Sequence, residues 1–152
     1  MAGYSGTPLA QKLGIKPATT VVLINAPTHY RRWLGKAAEN VIFSNRPGRD
    51  CTFIHFFTVR RSELQRRLKE LRNKISDTGI LWVSWPKKSA GVPTDVTEDV
   101  IRAVALPLGF VDVKVCAVDE TWSGLKLMIR RTERSKRPSP GASRRPLPQG
   151  ED

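Results

Sequence analysis

The sequence predicts an α/β protein: a single doubly wound, mainly parallel sheet that ends in an antiparallel hairpin. Three observations carry this expectation. β-branched and apolar runs such as "ATTVVLINAP" and "ILWVSW" alternate with segments of helical periodicity, and that alternation calls for parallel strands joined by crossovers. The run "CTFIHFFTV" is almost wholly apolar, as a strand covered on both faces must be. The last two runs, "FVDVKVCAVD" and "WSGLKLMIRR", are joined by a tight connection and read as a hairpin.

The elements follow in order. "SGTPLAQKLGI" reads as a short helix, with Thr7 as its cap, Pro8 at its first position and Gly14 at its end. "ATTVVLINAP" is a buried strand stopped by Asn25-Ala26-Pro27. "THYRRWLGKAAEN" is helical in part, with Gly35 interrupting it. "VIFS" is a short second strand, "RPGRD" a turn, and "CTFIHFFTV" the third strand. "RSELQRRLKELRNKI" carries the clearest helical stripe, Leu64, Leu68, Leu71 and Ile75, with Ser62 as its cap. "SDTG" is expected to stop that helix before the fourth strand, "ILWVSW". Asp95 and Glu98 have capping-box spacing ahead of "VIRAVALPLG", a helix that Pro107 and Gly109 terminate.

With 152 residues the chain fits one compact domain, placed at 1–132. Residues 133–152, rich in Pro, Ser and Arg and poor in large apolar side chains, read as a disordered tail. The tail's five basic and three acidic residues account for two of the twelve net positive charges, so ten stay with the domain. No run reaches the ~18 apolar residues of a membrane span, and the N-terminus lacks a secretory apolar run, so a cytoplasmic protein is expected. Cys51 and Cys116 both fall in strand-like runs and read as buried free thiols.

The parallel strands of a doubly wound sheet end on one edge, and ligands bind beyond it. Asn25, Trp85, Lys87, Lys88, Asp119, Glu120 and Trp122 all fall at strand ends on that edge. Two readings stay open. One is a solvated ion-pair rim under a tryptophan, with each pair contributing about 0–1 kcal/mol. The other is a pocket in which lysines take an anionic ligand, carboxylates its polar groups and the indole a flat apolar face.

The first strand runs into "NAPTHYRRWLG" without a Gly-x-Gly-x-x-Gly turn, and the second ends at Ser44-Asn45-Arg46 without an acidic residue for a ribose. Both features argue against a nicotinamide cofactor and against ordinary S-adenosylmethionine binding, so no cofactor is predicted. Nucleophilic catalysis has little support. His55 lies inside an apolar strand, His29 reads as a surface residue, and adjacent Asp119 and Glu120 would point to opposite sides of an extended segment. No catalytic residues are assigned, and the balance leans away from an enzyme. Arg60, Arg61, Arg66, Arg67, Lys69, Arg72 and Lys74 form a basic stretch that reads either as a solvated helix face or as a surface for nonspecific nucleic-acid binding.

Two resemblances extend this reading. In element order the chain is similar to a shortened class I methyltransferase, a Rossmann-like fold that also ends in a reversed strand. In its strings "YSGTPLAQKLGIKP", "LWVSWPKKSAGVPTDVTEDVIR" and "ALPLGFVDVKVCAVDETWSGLKLMIRR", it resembles a family of small bacterial proteins catalogued as a domain of unknown function, over nearly residues 4–131. That resemblance implies a bacterial origin and no particular reaction. The leading expectation is a non-catalytic domain that binds a small anionic ligand or a protein partner at the sheet edge. The alternatives are a nonspecific nucleic-acid binder and a divergent S-adenosylmethionine-dependent methyltransferase.

Overall fold

The computed structural model describes residues 8–134. The expected cap Thr7 and the tail from 135 onward lie outside the described residues. The elements run α1 (Leu9–Leu13), β1 (Thr20–Ile24), α2 (Tyr30–Leu34), β2 (Ile42–Ser44), β3 (Cys51–Phe57), α3 (Arg61–Leu71), β4 (Ile75–Pro86), α4 (Glu98–Ala105), β5 (Phe110–Ala117) and β6 (Trp122–Ile129). The strands form one sheet in the order β2-β1-β3-β4-β6-β5. β2, β1, β3 and β4 pair in parallel, while β6 runs antiparallel to both β4 and β5. The reversed strand therefore sits inside the sheet, and β5 returns to the parallel direction at the edge.

Helices cover both faces. Val22, Ile24, Ile54, Phe56, Leu81 and Val83 pack against Leu64, Leu68 and Leu71 of α3 and Ile101 and Ala105 of α4. On the other face Val21, Phe53, Phe57 and Trp82 meet Leu9 and Leu13 of α1 and Tyr30 and Leu34 of α2. The period-2 pleat sends alternate residues of β3 and β4 to these two cores, which is why both strands read as unbroken apolar runs. Trp82 crosses its core with a polar tip: its indole N–H donates to the Leu13 carbonyl at 2.8 Å, tying α1 to the sheet. Gly14 ends α1 at φ 84°, the left-handed conformation expected of it, while Pro8 sits one place before the first helical residue.

Three local expectations are corrected. α3 ends at Leu71, and Ile75 opens β4 while keeping its place in the same core as the leucine stripe. "SDTG" is an irregular part of β4: Cys51 pairs with Ile75 and Phe53 with Ile80, so two steps along β3 face five along β4. The turn-forming residues mark that bulge, where Gly79 passes close to the Cys51 carbonyl. Neither expected cap acts as one. Ser62 lies inside α3, whose Arg61 N–H donates to Asp95 from a distant loop at 2.7 Å. α4 is capped by Thr97, which accepts from the Val100 N–H at 3.2 Å.

Candidate functional site

β2 and β3 flank β1 on opposite sides, so the chain switches direction between β1 and β3. In a doubly wound sheet this is where a crevice opens beyond the strand ends. Asn25 stands there, one residue past β1, at φ 59°. Asparagine tolerates this left-handed conformation better than other residues with a Cβ, and here it makes the tight turn that glycine makes elsewhere. Its carboxamide donates to the Phe57 carbonyl at 3.2 Å and to the Glu63 carboxylate at 3.1 Å. Thr58 donates to the other Glu63 oxygen at 2.8 Å. The ends of β1 and β3 are thereby joined to the first turn of α3 by one carboxylate.

Four strand-end residues meet next door. Pro86 of β4 pairs with Trp122 of β6, and the Lys87 N–H donates to the Thr121 carbonyl at 2.8 Å. This places the Lys87-Lys88 turn beside the β5–β6 hairpin that carries Asp119 and Glu120. Lys88 and Glu120 are exposed, while Lys87 and Asp119 are half-buried. Among the described residues no ion pair joins the lysines to either acid. Asp119 instead closes the hairpin, accepting from the N–H groups of Thr121 and Trp122 at 2.9 and 2.7 Å.

The two tryptophans of the predicted site separate. Trp122 shares the face of Pro86 and meets Phe57 edge-on at 5.0 Å, whereas Trp85, one residue before Pro86, is buried in the α3/α4 core on the opposite face. Sequence reasoning missed Trp33, which lies 6.2 Å from Phe57 and extends the aromatic row along α2. Its one legible signal was its spacing of four from His29, whose ring packs edge-on against it at 5.0 Å.

His55 is fully buried beneath this row. Its Nδ1 lies 2.8 Å from the Tyr30 hydroxyl and its Nε2 2.7 Å from the Ser84 hydroxyl. Burial pushes the imidazole down to about 3, so it is neutral at pH 7. Burial, with a smaller contribution from Cys116, pushes the Tyr30 phenol up. All three groups lie inside the protein, and the chain reads as a satisfied core network. Cys51 and Cys116 are free thiols, and both are half-buried.

The basic stretch does not present one continuous face. Arg60, Arg61, Arg66 and Lys69 are exposed on and around α3. Arg67 pairs with Glu70 at 3.0 Å, Arg72 turns inward to donate to the Leu108 carbonyl at 2.8 Å, and Lys74 is half-buried after the helix.

No protein-family model matches the sequence, and a search of curated proteins finds no match. Solved structures do match. A protein provisionally assigned as a type 11 methyltransferase from Sulfolobus solfataricus superposes with a TM-score of 0.59 at 17% identity, covering 82% of this chain and 91% of its own. An S-adenosylmethionine-dependent methyltransferase from Aquifex aeolicus gives 0.57 at 16%, covering 80% and 87%. The PH0226 protein from Pyrococcus horikoshii OT3 gives 0.52 at 12%, covering 81% and 87%. The chain has the Rossmann-like fold of the class I methyltransferases. Among the described residues no helix is long and apolar enough to cross a membrane.

Proposed function

We propose that this protein is a divergent S-adenosylmethionine-binding protein of methyltransferase fold, taking its ligand at the strand ends between β1 and β3. The observation that carries the reading is Asn25. It sits at the switch point in a left-handed turn, so the tight turn that glycine ordinarily makes there is made by asparagine. The Glu63 carboxylate beside it offers acceptors for ribose hydroxyls, and the half-buried Trp122, packed on the buried Phe57, offers an apolar surface. The fit is incomplete. β2 still ends in Ser44-Asn45-Arg46 without a carboxylate, and Glu63 already accepts from Asn25 and Thr58. We therefore derive no methyl-transfer step from these residues. Fold-level likeness raises the expectation of this cofactor but does not assign a reaction.

The test is calorimetric titration of the full chain with S-adenosylmethionine and S-adenosylhomocysteine. The reading expects binding of at least one of them, weakened in Asn25→Ala. The absence of heat with both at millimolar concentration rejects it.

One observation favours a second reading, a non-catalytic domain that binds a small anionic ligand or a protein partner. Among the described residues Lys87 and Lys88 have no ion-pair partner at the rim, and a half-buried indole lies beside them. Trp122 fluorescence would then respond to anionic metabolites in the parent protein and not in Lys87→Ala. A signal unmoved by any anionic metabolite rejects this second reading. Membership of the bacterial family suggested by the sequence strings is compatible with either.

A further inference from the structure

The β2–β3 connection is unusual. A crossover between parallel strands ordinarily takes a dozen or more residues and carries a helix that covers the sheet. Here it is the strap 45–50, which bears no helix and passes over β1. Ser44 is level with Val22, and Val22 with Ile54. The strap must therefore fall about 10 Å along the strands and move about 10 Å across them, since residues rise about 3.3 Å and neighbouring strands lie about 4.8 Å apart. Its Cα steps can reach about 23 Å, so it has slack to bow away from the sheet.

Beneath it lies a groove of about 540 Å³, walled by the strap and floored by β1 and the start of β3. The floor breaks the core pattern. Val22 and Ile54 are buried, yet Thr20 and Thr52, two residues earlier on the same face of each strand, are exposed. Continuing the observed register sets these two threonines abreast on neighbouring strands. Arg46 and Arg49 line the groove from the strap, and neither is in an ion pair among the described residues. Asp50 also lines it, so the lining carries two arginines and one aspartate.

We propose that this groove binds a small ligand through a phosphate group, with Arg46 and Arg49 as clamps and the Thr20 and Thr52 hydroxyls as further donors. Paired guanidinium donors suit a tetrahedral oxyanion, which accepts hydrogen bonds on several oxygens at once. The volume exceeds that of inorganic phosphate and falls within the range of small-molecule sites, so a phosphomonoester such as a mononucleotide fits. The groove lies at the start of β1 and β3 rather than at their ends, so the proposal stands independently of the function assigned to the rim.

The test is titration of the full chain at low ionic strength with inorganic phosphate, AMP, adenosine and a short single-stranded oligonucleotide, read by calorimetry. Phosphate and AMP should bind and adenosine should not, and added salt should weaken both complexes. Arg46→Ala/Arg49→Ala should lose at least about tenfold in AMP affinity, because each guanidinium supplies a charge-assisted contact, with an unchanged circular dichroism spectrum. Thr52→Val should weaken binding less. The proposal is overturned if neither phosphate nor AMP binds, if adenosine binds as well as AMP, if only the oligonucleotide binds, or if the double variant binds AMP as the parent does.

Discussion

Acidification from pH 7 to pH 5 should destabilise this protein through one residue, His55. In the folded state both ring nitrogens have fixed hydroxyl partners, Tyr30 at 2.8 Å and Ser84 at 2.7 Å, and the ring is sealed from water. Burial holds its proton affinity at about 3. An unfolded histidine titrates near 6.5. Between those values the unfolded chain binds a proton that the folded chain refuses, so stability rises with pH through this window and falls as pH drops. Above about 6.5 the contribution is fully present. Integrating from pH 7 to pH 5 gives a loss of about 2 kcal/mol. For a domain of this size that corresponds to a fall in Tm of roughly 5–10 °C. Asp112, whose carboxyl is held below its ordinary range by hydrogen bonding to Arg102, becomes protonated only at lower pH and adds nothing to this interval.

The assay is urea denaturation at both pH values, paired with calorimetry in two buffers to count protons taken up on unfolding. Close to one proton at pH 5 should belong to His55. The ring's NMR signal in the folded protein should not titrate between pH 7 and 5. His55→Gln keeps a hydrogen-bonding side chain without a titration and should flatten the pH dependence. Equal stability at pH 7 and 5, or a slope that survives in His55→Gln, would refute the assignment.

Other expectations are local. Asn25→Ala places a Cβ residue without a side-chain hydrogen bond at φ 59° and should cost about 1–2 kcal/mol, while Asn25→Gly, which accepts that φ freely, should cost less; urea midpoints separate the two. Gly79→Ala puts a methyl 2.7 Å from the Cys51 carbonyl oxygen and 2.9 Å from Ile75, and should lower the urea midpoint by about 2 kcal/mol or more at unchanged slope. Asp95→Ala removes the acceptor for the Arg61 N–H and should cost about 1 kcal/mol, measurable as a lower Tm, with a similar loss for Thr97→Ala at the other helix.

Much of the fold was legible because it rests on periodicity. Apolar runs flagged β1, β3 and β4, and the tight connection before Trp122 flagged the hairpin, since these features depend on neighbours in sequence. What failed depended on distant partners. Ser62 looked like a cap from local spacing, but the Arg61 N–H is claimed by Asp95, which folds back from the loop before α4. Of the rim, Lys87 and Trp122 came together as the strand ends implied. Trp85 did not, because a single step along a pleated strand reverses its face. The groove under the strap had no sequence signal, since Thr20 and Thr52 become neighbours only through the register of β1 on β3.

The chain's charge makes one control necessary for both anion sites. A protein with a net charge of +12 draws anions to its whole surface, and removing any lysine or arginine lowers that general attraction. A loss of binding in one variant therefore does not locate a site. Lys87→Ala/Lys88→Ala and Arg46→Ala/Arg49→Ala remove the same two charges from opposite ends of the parallel strands, so the general term falls equally in both and cancels in their comparison. Salt offers a second separation, because the diffuse field is screened beyond about 10 Å at 0.1 M while close guanidinium–phosphate contacts persist. A phosphate ligand held in the groove must distinguish the two variants at 0.1 M salt. If both lose AMP affinity to the same degree, the attraction is the charge of the whole molecule, and the groove holds no site.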